Sequence, residues 1–172
     1  MRRLLNAAAL VAALTACAGP PAAPAPTPTS TVTTTSPRID VAHDLTDVDV
    51  CALLTAADVK GPFVRPPAPF AGPGTCEFRA PTGLRLGLVI TQRSYDDAKP
   101  LVLNGSEQVI DGHSTWWATG SDGTMTHCDM VVALTADHVL EVRAEQYPMD
   151  VVRIGSQTRV QVQSVLSRLP RK

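Results

Sequence analysis

The sequence predicts an α+β fold, an antiparallel sheet with helices packed on it. Three observations predict it. Leu84, Leu86, Leu88 and Ile90 alternate with Arg85, Gly87, Val89 and Thr91, the period of two that marks a strand. Asp111-Gly112 sits between two strand-like runs, and Asp-Gly is a strong signal for a tight hairpin turn. The final segment, Gly155 to Leu169, sets Val160, Val162, Val165, Leu166 and Leu169 at helical spacing among Gln157, Arg159, Gln161, Gln163 and Arg168.

Thr55, with Asp58 three residues later, reads as the N-cap of a helix of one or two turns that Gly61 and Pro62 stop. Residues 61 to 74 hold five prolines and read as a long surface loop. Thr75 to Arg79 is the first strand, and Pro81 to Gly83 turn it into the alternating strand from Leu84 to Thr91. Ser94 caps a short helix from Tyr95 to Leu103, with Asp96 and Asp97 in its first turn and Pro100 awkwardly inside it. Glu107 to Ile110 and Ser114 to Ala118 form the Asp-Gly hairpin, and Thr119 to Met125 is a glycine-rich connection. Cys128 to Leu134 is nearly all apolar, as a central strand is; Ala136-Asp137 turns it into His138 to Glu145. The closing helix covers one face of the sheet and ends near Pro170.

Ahead of this domain, residues 1 to 16 read as a signal peptide. Arg2 and Arg3 precede an apolar run from Leu4 to Leu14, too short for a permanent membrane span of about 20 residues. Leu14-Thr15-Ala16-Cys17 resembles the bacterial lipobox. The resemblance implies cleavage before Cys17 and acylation of its thiol, so that membrane lipid becomes the first expected partner. Residues 17 to 39 then form a lipidated tether rich in proline and threonine, which favours an extended spacer. Residues 40 to 172 make a single extracytoplasmic domain.

Removing Arg2 and Arg3 leaves 13 basic against 16 acidic residues. With no basic patch interleaved with aromatics, nucleic-acid binding has no support. Once Cys17 is set aside for lipid, Cys51, Cys76 and Cys128 remain as disulfide candidates in an oxidising compartment. A Cys51–Cys76 bridge is preferred because it clips the first helical region to the first strand; Cys76–Cys128 is the rival.

Asp49-Val50-Cys51-Ala52-Leu53-Leu54-Thr55, Cys76-Glu77-Phe78 and His127-Cys128-Asp129-Met130-Val131 together resemble the three cysteine-bearing motifs of the DUF3558 family, actinobacterial lipoproteins of unknown function. Val50 stands where that family usually has proline, and His127 where glycine is more usual. The resemblance implies a cell-envelope location and a fold similar to the Mog1/PsbP-like α-β-α sandwiches, whose members mostly serve as binding or assembly factors. It carries over no catalytic residue.

No catalytic or metal-binding pattern emerges, and no cofactor is expected. A metal set drawn from His127, Cys128 and His113 or Asp122 meets the objection that adjacent strand residues face opposite ways. A cysteine nucleophile, with Cys128 as the candidate, needs a free thiol with a depressed pKa, and the expected disulfide removes some of the cysteines. Trp116-Trp117 is the candidate binding surface. One tryptophan can be core while its neighbour is exposed or under a helix; the simpler alternative buries both. The expectation is a noncatalytic binding or assembly lipoprotein recognising an envelope protein, glycan or lipid. The alternative is a hydrolase or other enzyme acting on envelope material.

Overall fold

The structure is a computed structural model and describes residues 37–147 and 149–172. The predicted signal peptide, Cys17 and residues 18 to 36 of the tether lie outside the described residues. Among those described, no helix is long and apolar enough to cross a membrane.

Six strands form one antiparallel sheet: β1 (Thr75–Arg79), β2 (Arg85–Gln92), β3 (Ser106–Ile110), β4 (His113–Ser121), β5 (Thr126–Ala133) and β6 (His138–Gln146). The order is β1-β2-β6-β5-β4-β3. Strands β3 to β6 are a simple meander, and the β1–β2 hairpin joins the free side of β6. The apolar text of β5 and β6 accordingly lies at the centre. The Asp111-Gly112 turn has both residues at positive φ, 47° and 85°, as a type I′ hairpin requires.

Two helices pack on this mixed α+β fold. Helix α2 (Val151–Arg168) covers one face through Ile154, Val162, Val165 and Leu166, which meet Phe78, Leu86, Leu88, Met130, Val132, Leu140 and Val142. The short α1 (Tyr95–Ala98) lies against the other side. There Tyr95 and Ala98 meet Val131, Ala133 and Val139, with Trp116 and Val102 packed alongside. Ser94 caps α1 by accepting from the Asp97 amide, as predicted. Pro100 tightens the chain beyond Ala98 into a 3-10 turn, Lys99–Leu101, so the helix does not reach Leu103.

The Cys51–Cys76 disulfide is present and ties a 3-10 turn, Val50–Ala52, to β1. The rival Cys76–Cys128 bridge is not formed; Cys128 is a fully buried free thiol. The predicted helix after Thr55 is absent. Residues 56–60 form hydrogen-bonded turns that close when Lys60 enters the left-handed region at φ 58°. Thr55 does not cap a helix there: its amide and hydroxyl both donate to Asp58 Oδ2. Strand β4 also runs past Ala118 to Ser121, because Thr119, Gly120 and Ser121 keep their pairing with β5.

Helix α2 differs from expectation in two ways. It starts at Val151, four residues early, where the Asp150 side chain accepts from the amides of Val152 and Arg153. Gly155 is therefore inside the helix, at the point where a Cβ would come within 2.8 Å of the Trp117 ring. The buried stripe is also rotated. Val160 is exposed, while Gln161 and Thr158 lie under the helix with Ile154, Val162 and Val165. At 3.6 residues per turn, positions 154, 158, 161, 162 and 165 share a face, and 160 falls away from it.

Candidate functional site

Because α1 and its 3-10 extension cover only part of their side of the sheet, a groove is left beside them. Its volume is about 590 Å³. The floor comes from β2, β6, β5 and β4. Gly87, Arg143, Asp129 and Ala118 are successive register partners across these strands, and Val89, Glu141 and Val131 form the next row, which continues on β4 to Trp116 beneath the wall. Leu101, Leu103 and Asn104 line one side and Phe70 the other. The Phe70 ring approaches to 3.8 Å from where a Gly87 side chain would begin.

The lips are apolar and open to solvent: Phe70, Leu101 and Leu103 are 54%, 62% and 76% exposed. Single exposed apolar residues are ordinary on a protein surface. Three of them around one concavity make a patch of the kind that marks binding sites.

A chain of alternating charges crosses the outer part of the floor. Glu77 is paired with Arg65, with Arg79 at 3.0 Å and with Arg85 at 3.1 Å. Arg85 reaches Glu145 at 3.4 Å, and Arg143 donates from Nε to the same Glu145 at 2.8 Å. The chain ends on Asp129, whose nearest cation is Arg143 Nη1 at 3.5 Å. Asp129 is half-buried, and burial raises its carboxyl pKa, with Arg143 pulling the other way. Among the described residues no group donates a hydrogen bond to it within bonding distance. Glu77 is the opposite case: hydrogen bonding from Arg79, then Arg85 and Arg65, outweighs desolvation and holds its carboxyl at about 2.

The two tryptophans face opposite ways. Trp117 packs on the α2 side. Trp116 lies on the groove side, where its Nε1 donates to Val102 O at 2.9 Å beneath the wall. Both are half-buried, and neither lines the groove directly. His127 and Cys128 separate across the sheet in the same way. His127 borders the groove, whereas Cys128 lies under α2, where burial pushes its thiol up to about 12 and leaves no nucleophile at neutral pH. Among the described residues, no three His, Cys, Asp or Glu side chains converge as metal ligands. Sequence reasoning missed Phe70, Leu101 and Leu103 as a set. They sit in a proline-rich loop and beyond a broken helix, so no periodicity joins them.

Strands β1 and β5 carry two of the three cysteine motifs, and a match to a family described as protein of unknown function, DUF3558, runs over residues 12–152. The chain belongs to the DUF3558 family. The match takes in Cys51, Cys76 and Cys128 and all six strands, and stops at Val152, two residues into α2. The groove-forming part of this DUF3558 protein is thus within the family region. A comparison with curated proteins found no match.

Proposed function

We propose that this DUF3558 protein is a membrane-anchored, noncatalytic binding or assembly lipoprotein of the actinobacterial cell envelope, and that the groove beside α1 is its binding site. The reading draws its anchoring from the lipobox at Leu14-Thr15-Ala16-Cys17 and its location from the family resemblance. A Mog1/PsbP-like sandwich, with helices on both sides of the sheet, is the finer fold that goes with it. The single observation that carries the binding site is the ring of exposed Phe70, Leu101 and Leu103 around one concavity. A domain gains nothing in folding by leaving three large apolar side chains in water, whereas a ligand covering them gains roughly 25 cal/mol for each Å² of apolar surface.

The test is photo-crosslinking in the intact envelope. A photoreactive side chain replaces Leu103 in the anchored protein, and a second protein carries it instead at Val160, exposed on the outer side of α2. We expect a discrete adduct from the Leu103 position and none from Val160. If neither position yields an adduct, or both yield the same ones, the groove is not the binding site.

A further inference from the structure

We propose that the groove takes a single-chain amphiphile, with its aliphatic chain between Phe70 and the Leu101–Leu103 wall and a hydrogen-bond-donating head group on Asp129. This rests on the groove being the binding site and goes further, to the chemical class of its occupant.

Two features of the floor select that class. The first is the state of the backbone. Strands β2, β6, β5 and β4 are all interior to the sheet, so their amides and carbonyls are consumed by their neighbours. An extended peptide laid on this face would find no ladder to join and would leave its own backbone groups unpaired. A polysaccharide would bring many hydroxyls against Phe70, Val89, Leu101, Val102, Leu103 and Val131, the apolar part of the lining. An aliphatic chain carries no such groups, and Gly87 and Ala118 present little side-chain bulk on the floor.

The second feature is Asp129. Its carboxylate borders the groove and is half-buried, yet no protein donor among the described residues completes it. Its nearest cation, Arg143, already donates to Glu145. A half-buried carboxylate to which no described protein group donates a hydrogen bond can accept one from a ligand that brings a donor. Hydroxyl and ammonium head groups both supply one. A carboxylate head group brings no donor at neutral pH and meets the negative charge of Asp129, while Arg143 beside it is already paired with Glu145.

The experiment uses the full chain with Cys17→Ser, so that no covalent lipid competes, and Trp117→Phe, so that Trp116 is the sole tryptophan beside the groove wall. Three probes of equal chain length are titrated below their micelle concentrations: dodecylamine, 1-monododecanoylglycerol and dodecanoate. We expect saturable change in Trp116 emission with one or both of the first two. Binding by the amine alone identifies a cationic head group, and by the glycerol ester alone a hydroxyl one. Dodecanoate should bind about tenfold more weakly or worse. Asp129→Asn should narrow that gap, and Leu103→Asp, on an exposed side chain that leaves the fold intact by circular dichroism, should abolish all binding. Equal binding of dodecanoate, indifference to Asp129→Asn, or no binding of any probe overturns the amphiphile. Crosslinks from Leu103 to protein or glycan, with no amphiphile bound, overturn this inference and leave the binding groove standing. Loss of the Leu103 adducts themselves removes the groove.

Discussion

Gly105 shows how much a single residue contributes to the groove wall. A Cβ at this position would overlap the Trp116 indole, including Nε1, the atom that donates to Val102 O. Gly105→Ala must push either the ring or the wall aside. We expect a loss of about 2 kcal/mol, the usual scale of overpacking, with a shift in tryptophan emission; unchanged thermal unfolding and emission would show that the contact is slack. Glu77 makes a different residue-scale case. Its carboxyl sits at about 2 in the fold against an ordinary 4.5, held there chiefly by Arg79. A depressed acid contributes stability above its unfolded pKa and loses it as pH falls from about 4.5 towards 2. Because the arginines are 38–54% exposed, screening limits the contribution to about 1 kcal/mol. Glu77→Gln should therefore lower stability by about that much at pH 7, with most of the difference gone at pH 2, as read by urea unfolding at both pH values.

At the scale of elements, the strands were the most legible part of the sequence. Alternation in β2 and β6 and the apolar run of β5 located them because side-chain period and sheet geometry are locked together. Helix boundaries were less legible. Glycine is a poor helix former, so Gly155 looked like a beginning, yet the Asp150 cap starts α2 at Val151 and the close approach of Trp117 is what calls for a glycine inside it. Likewise Thr55 and Asp58 carry capping chemistry but close a turn, since Gly61 and Pro62 leave too few residues for a helix to propagate. The covalent staple acts at this same scale. The Cys51–Cys76 bridge spans 25 residues that include the proline-rich loop bearing Phe70, which has no strand or helix of its own. Closing a loop of that length restricts the unfolded chain by about 3 kcal/mol. Cys51→Ala with Cys76→Ala should cost that amount in denaturant and loosen amide exchange at Phe70 and Ala71 before it loosens β5. Equal protection of the loop in both proteins would show that the loop is held by packing alone.

The whole molecule is closed by contacts between parts far apart in sequence, and these had no signature in the sequence. The groove required β2, β6, β5 and β4 to be brought beside the segment after α1, and neither Asp129 nor Phe70 announces that company. The same holds where the described chain begins and ends. Residues 38–44 run as a strap against the start of β4 and the C-terminal residues: Ser114 N donates to Arg38 O, Asp44 N to Pro170 O and Lys172 N to Ala42 O. His43 and His113, 2% and 1% exposed, meet beneath this strap with their Nε2 atoms 3.3 Å apart. Ala133 O can only accept, so His113 Nδ1 at 2.7 Å carries the proton and neutral His113 offers Nε2 as an acceptor. Neutral His43 then donates either from Nε2 to His113 or from Nδ1 to Pro170 O at 3.2 Å. Protonation would serve both contacts but would bury a charge, and burial holds the His43 pKa below its ordinary 6.5 despite the pull of the Pro170 carbonyl. Asp40, Asp44, Asp111, Arg171 and Lys172 are the charged residues around the strap, and of these Arg171 acts on His43 in the same direction as burial. As pH falls through 6.5 the unfolded chain takes up a proton that folded His43 resists. Stability is therefore full above about 6.5 and is lost below it, by up to about 1.4 kcal/mol per pH unit until the folded pKa is reached. Unfolding free energies measured from about pH 7.5 to 5 should decline more steeply for the parent than for His43→Gln, which cannot titrate. Amide exchange at Asp40 and Ser114 should rise in step with that decline. Parallel stability curves for the two proteins would mean that the histidine pair does not set the acid response of the strap.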